Sequence, residues 1–167
     1  QDGVELYPTF NWPKEQLEFI IAGGNRAIFN AVENAEDNLE LANRIVFEKK
    51  INLQDVVIGL AASGNTPFTC KVMETAKDKK ALTIAISNNP NGKIMQHCDL
   101  SILLNTKEEV IAGSTRLKAG TAQKICLNII SSMVMIKMGN VKNGYMKNMV
   151  PTNEKLRKRR LLIDKEI

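Results

Sequence analysis

The stretch Asp55-Val56-Val57-Ile58-Gly59-Leu60 is continuously apolar after its first residue, where a strand with one wet face would alternate apolar and polar positions. A short apolar run of this kind predicts a strand covered on both faces. Leu82-Thr83-Ile84-Ala85-Ile86-Ser87 and Leu100-Ser101-Ile102-Leu103-Leu104 predict two more. Between the first two, the small-residue turn Ala61-Ala62-Ser63-Gly64-Asn65-Thr66-Pro67 opens a helix expected to run to about Ala76. The loop Asn88-Asn89-Pro90-Asn91-Gly92 and a short helical turn lead into the third strand.

Elsewhere the apolar period lengthens to that of a helix. Leu39, Ala42, Ile45 and Val46 give an amphipathic helix toward Lys50, and Ala27, Ile28, Ala31 and Val32 give another that Asn25 can cap. Pro13 suits the first turn of a short helix through Ile20 and Ile21, which Gly23-Gly24 should stop. After the third strand a long helix is predicted, with Ala122, Ile125, Ile129, Met133 and Ile136 as its inward stripe and its end near Gly139. Strands alternating with helices imply an α/β fold, a three-layer sandwich with a mainly parallel sheet flanked by helices and right-handed crossovers. Residues 1–150 are read as the ligand-binding domain; Pro151 separates them from 151–167, the start of a C-terminal helical region.

Composition narrows the classes. With 167 residues, 44% hydrophobic and 25% charged, the chain has the material for one core and excludes disordered and fibrous types. No contiguous apolar run reaches the roughly 18 residues of a bilayer span, and the first residues have no signal-peptide character, so a cytoplasmic protein without a membrane partner is expected. Cys70, Cys98 and Cys126 are unpaired in spacing and His97 is the single histidine, leaving little material for a zinc site, a disulfide framework or a Ser-His-Asp triad. No metal or cofactor is expected. The net charge is +5, of which the segment from Asn153 to Ile167 contributes +3, but its helix-like charge run lacks interleaved aromatics, and no nucleic-acid partner is expected. Met133, Met135 and Met138 are assigned to core packing or a subunit interface.

In open parallel sheets ligands bind beyond the carboxyl ends of the strands. Two segments fall there. Ser63-Gly64-Asn65-Thr66 follows the first strand; Gly64 lets a ligand approach the backbone while Ser63 and Thr66 offer hydroxyls. The run Ala112-Gly113-Ser114-Thr115-Arg116-Leu117-Lys118-Ala119-Gly120-Thr121-Ala122-Gln123-Lys124 follows the third and joins hydroxyls and cations to an expected helix start. Ser114, Thr115, Arg116 and Lys118, with first-turn amides expected to be free, would hold an anion. Neither a Gly-Lys-Ser/Thr phosphate loop nor a Gly-x-Gly-x-x-Gly fingerprint is present.

Together with Ile21-Ala22-Gly23-Gly24 and Glu33-Asn34-Ala35-Glu36-Asp37, these two segments closely resemble the N-acetylmuramic acid 6-phosphate etherases, bacterial members of the sugar isomerase (SIS) domain superfamily. The resemblance runs to Thr152-Asn153-Glu154-Lys155-Leu156-Arg157. It implies a cofactor-independent carbon-oxygen lyase of peptidoglycan recycling that yields N-acetylglucosamine 6-phosphate and D-lactate. By motif position, Glu36 would be the base at sugar C2 and Glu5 the acid at the lactyl oxygen. Such a pair must hold different protonation states. Ser63, Gly64, Asn65, Thr66, Ser114, Thr115, Arg116 and Lys118 would bind the substrate, and a homodimer is expected. Around Glu5 the chain has Gly3, Val4, Leu6 and Tyr7 where the family usually has small residues and Cys-Pro. The family also implies an upstream strand with a Gly-Thr-Ser-Gly-Arg loop, so the chain reads as a partial SIS-like domain. The alternative reading is a non-catalytic sugar-phosphate-binding regulator resembling glucokinase regulatory protein. An aldose-ketose isomerase of the same superfamily stands third, since only His97 is available for ring opening.

Overall fold

The computed structural model describes residues 1–166, which fall into two compact units: residues 20–123, and residues 1–19 with 124–166. The first unit is built on three parallel strands, β1 (Val56–Ala61), β2 (Leu82–Ser87) and β3 (Leu100–Leu103), in the order β1-β2-β3. Val56 pairs with Leu82 and Ala61 with Ser87; Ile84 pairs with Leu100 and Ser87 with Leu103. All three strands lie within a residue of their expected places.

Helix α1 (Asp2–Phe10) belongs to the other unit, and α2 (Leu39–Glu48) and α3 (Pro67–Asp78) to this one. Asn38 starts α2 by accepting the Leu41 amide at 2.8 Å, a side-chain cap for an otherwise unpaired donor. Proline in the first turn starts α3, which crosses from β1 to β2. Ala42 and Val46 of α2 meet Phe68 and Val72 of α3 in one buried cluster, while Met73 of α3 joins Ala61, Ala85 and Ile94 in a second. Asp99, just before β3, accepts from the Thr83 amide at 2.9 Å and hydroxyl at 2.7 Å, and pairs with Lys77 at 3.3 Å. The Thr83 hydroxyl, foremost, draws the Asp99 carboxyl below its ordinary value.

Several expectations are corrected. Burial on both faces holds for β2, whose Thr83, Ala85, Ile86 and Ser87 are buried, but β1 and β3 are edges that leave Leu60, Leu100 and Leu103 exposed. The short helix expected from Pro13 to Ile21 is a single 3-10 turn, Lys14–Gln16, followed by extended chain. There Ile20 and Ala22 pack on the core and Ile21 faces solvent, a period of two that replaces the helical one. The helix expected at Asn25 is the 3-10 turn Gly24–Ile28, entered through two glycines at positive φ.

Helix α4 (Lys118–Lys137) is as long as expected, but the side chains assigned to its inward stripe are half-exposed: Ile125 51%, Ile129 53%, Met133 52% and Ile136 56%. Its buried positions are Ala119 and Met135. An 18-residue window of this helix reaches a mean hydropathy of 1.2, enough by length and composition alone to cross a bilayer. It contains no contiguous apolar run of that length, because Gln123, Lys124, Asn128, Ser131 and Ser132 interrupt the sequence. Those same polar residues make it weak evidence for a span.

In the second unit α1 carries Pro8 inside it and ends on Asn11 in the left-handed region (φ 55). Asp2 accepts a short hydrogen bond from Asn128. β4 (Val141–Lys142) and β5 (Tyr145–Met146) form a hairpin through Asn143-Gly144, both at positive φ as a two-residue turn of this kind needs. Helix α5 (Glu154–Glu166) follows Pro151; Ile167, the last residue of the expected 151–167 region, lies outside the described residues.

Candidate functional site

Residues 62–66 turn the chain from the end of β1 into α3. Gly64 makes the turn at φ +70, and a Cβ there would lie 2.4 Å from the Gly92 Cα and 2.7 Å from the Ser87 Oγ. The loop is therefore pressed directly onto the loop after β2. Four hydrogen bonds fasten them: Ile94 N–H to the Gly64 carbonyl at 2.9 Å, Lys93 N–H to Asn65 Oδ1 at 3.1 Å, Asn89 Nδ2 to the Ser63 carbonyl at 2.8 Å, and Asn88 N–H to the Ala62 carbonyl at 3.1 Å. Asn65 is thus committed in part to holding the loop. Ser63, exposed, accepts the Asn65 amide on its Oγ at 3.2 Å; Thr66, half-buried, makes no side-chain cap for α3.

The second predicted segment differs from expectation at its most important point. The helix begins at Lys118, so Ser114, Thr115 and Arg116 lie in the turns before it. The first-turn amides expected to be free are taken: Lys118 N–H donates to Glu109 Oε2 at 3.0 Å and Ala119 N–H to Glu109 Oε1 at 2.8 Å. Gly120 N–H donates to the Thr115 carbonyl at 2.8 Å and Thr121 N–H to the Leu117 carbonyl at 3.1 Å. The Ala119 amide is the chief cause that draws the Glu109 carboxyl below its ordinary value, with the Lys118 amide and charge adding to it. What remains for a ligand is the half-buried Ser114 and the exposed Thr115, Arg116 and Lys118 side chains.

Asn88 and Asn89, at the carboxyl end of β2, join the two segments. Asn89 holds Ser63, while Asn88 accepts from Gln123 of α4 at 3.0 Å and donates to the Leu104 carbonyl at 3.0 Å and to Thr106 Oγ1 at 3.3 Å. A shallow, open depression lies here, lined by Asn88, Asn89, Pro90, Asn105, Lys107 and Glu108. It lies where an open parallel sheet receives its ligands.

Glu36 is exposed on the 3-10 turn Ala35–Asp37, which follows Asn34 in the left-handed region (φ 58) and lies against α3 in the same unit. Glu5 is exposed on α1 in the other unit. Among the described residues no three His, Cys, Asp or Glu side chains gather as a metal site. Sequence reasoning missed Glu109, Asn88, Asn89 and Gln123. A run of asparagines directly after a buried strand was the available signal for two of them; Glu109 is visible only through a contact nine residues along the chain.

The SIS domain pattern matches residues 30–138. An N-acetylmuramic acid 6-phosphate etherase of Lactobacillus johnsonii is 48% identical over 155 residues, 93% of this chain and 52% of its own length. One from Deinococcus radiodurans is 45% identical over 163 residues, 96% of this chain and 53% of its own. The chain spans about half the length of the curated relatives it matches. A solved Bacillus subtilis structure described as a candidate phosphosugar isomerase is 19% identical with a TM-score of 0.38, over 77% of this chain and 42% of that one, a likeness too slight to bear on the argument.

Proposed function

The chain belongs to the SIS domain family, and from that premise we propose that it is an N-acetylmuramic acid 6-phosphate etherase, a carbon-oxygen lyase of cell-wall recycling. The observation that carries the proposal is its similarity, over nearly its whole length, to relatives bearing that name. Glu36 takes the proton from sugar C2, and Glu5 protonates the ether oxygen as the C3–O bond breaks. D-lactate leaves, and an unsaturated aldehyde remains. Water then adds, its hydroxyl to C3 and a proton back to C2, to give N-acetylglucosamine 6-phosphate. Each carboxyl returns to its starting protonation state, so no cofactor is consumed.

Ser114, Thr115, Arg116 and Lys118 hold the phosphate, and Ser63, Gly64, Asn65 and Thr66 line the approach to the sugar. With the first-turn amides of α4 engaged by Glu109, Arg116 and Lys118 supply the positive charge. The reading extends to a homodimer acting in the cytoplasm; the half-exposed Ile125, Ile129, Met133 and Ile136 support a paired assembly. D-lactate release from N-acetylmuramic acid 6-phosphate is the test, run on the chain and on the chain extended to the length of its relatives. Sugar-phosphate binding without lactate release in the extended protein would reject the etherase in favour of the regulatory alternative.

A further inference from the structure

We infer that Glu109 is a positioning residue for the phosphate loop: by holding the Lys118 and Ala119 amides it closes residues 110–117 into a fixed loop that presents Ser114, Thr115 and Arg116. The inference rests on the proposed sugar-phosphate reading of this segment. One carboxylate takes both amides at the start of α4, at 3.0 and 2.8 Å, each oxygen receiving one donor. The next two amides are satisfied by Thr115 and Leu117 carbonyls from the same loop. The first turn of α4 therefore has no spare donor, although a 20-residue helix would otherwise attract an anion there.

Two consequences follow from that closure. The ends of the loop are tied together, because Glu109 lies at its beginning and Lys118 at its end. The Ser114 amide on the Ile111 carbonyl at 2.9 Å and the Leu117 amide on the Ser114 carbonyl at 3.2 Å then set the turns between them. The second consequence concerns where a phosphate dianion goes. Were the amides vacant, it would have a competing place at the helix start, several residues past the hydroxyls. With Glu109 installed, it is directed to the Ser114, Thr115, Arg116 and Lys118 side chains.

The test titrates inorganic phosphate and N-acetylglucosamine 6-phosphate into the wild-type chain, Glu109→Ala and Glu109→Gln, and follows amide exchange at Lys118 and Ala119. Loss of a charge-assisted pair predicts about a tenfold weaker affinity for both ligands in Glu109→Ala. Glu109→Gln, which keeps one carbonyl acceptor, should recover part of it, and exchange at both amides should accelerate. In the extended protein KM should rise with kcat held within about twofold, a split that general loss of structure does not produce. If Glu109→Ala fails to fold, Glu109→Gln carries the same comparison. Unchanged or tighter phosphate binding in the variants overturns the inference and makes Glu109 an occupant that competes for the anion. Absence of binding by the wild type overturns the sugar-phosphate reading together with it; binding by the wild type with no loss in the variants overturns the positioning role alone.

Discussion

Gly64→Ala separates two costs that the loop after β1 imposes on any side chain. The first is conformational. An L-residue at φ +70 loses about 1–2 kcal/mol relative to glycine. The second is steric: the new Cβ would stand 2.4 Å from the Gly92 Cα, a backbone atom that cannot swing aside as a side-chain tip can. Forcing extra volume into such a place costs about 1–3 kcal/mol more. The sum, about 2–5 kcal/mol, lowers Tm by roughly 2–4 °C per kcal/mol for a chain of this size. Gly113→Ala is the control, because Gly113 has a similar φ of +76 and nothing within 4 Å of an added Cβ. It should show the conformational cost alone. Urea unfolding followed by far-ultraviolet circular dichroism measures both variants against the wild type. Equal destabilisation of the two would refute the claim that the Gly64–Gly92 contact is what forbids a side chain.

Three further outcomes are expected. Arg116→Ala and Lys118→Ala should each weaken phosphate-bearing ligands by about tenfold while leaving unphosphorylated analogues bound as before, and calorimetry on the two ligand types tells charge recognition from a packing defect. Glu5→Gln in the extended protein should still exchange the substrate C2 proton with heavy water while lactate release stalls, and Glu36→Gln should lose both; exchange lost only in Glu5→Gln would reverse the two roles. Asp99 has a folded-state pKa below its unfolded one, so its contribution is fully present above about pH 4 and is lost as pH falls through the folded value. Thr83→Val, which removes the hydroxyl donor, should therefore flatten the fall of the urea midpoint as the pH drops below about 4.

The elements legible in the sequence were those whose signal is local. Leu82–Ser87, apolar but for Thr83 and Ser87, is the central strand at those bounds; Leu39, Ala42, Ile45 and Val46 keep the spacing of an amphipathic helix and form one. The segment Phe19-Ile20-Ile21-Ala22 misled because four apolar residues in a row carry no period of their own. Only the core beside them selects Ile20 and Ala22. The stripe on α4 misled for a related reason: Ile125, Ile129, Met133 and Ile136 have the spacing of a buried face, but spacing cannot say what covers it. At the site, Ser63 to Thr66 and Ser114 to Lys118 were legible as residue types at strand ends. The bonds that shape them, Asn89 to Ser63, Gln123 to Asn88 and Lys118 to Glu109, join residues 26, 35 and 9 apart and leave no mark on either neighbourhood.

The sheet order β1-β2-β3 repeats the order in which the strands leave the ribosome. Val56 finds Leu82 twenty-six residues later, and Ile84 finds Leu100 after only sixteen more. Among the described residues no strand of this sheet inserts between two already paired. Loops this short cost little entropy to close, and each ladder can form as soon as its second strand emerges. The three-stranded layer is thus suited to assembly during synthesis, β1 serving as template for β2 and β2 for β3.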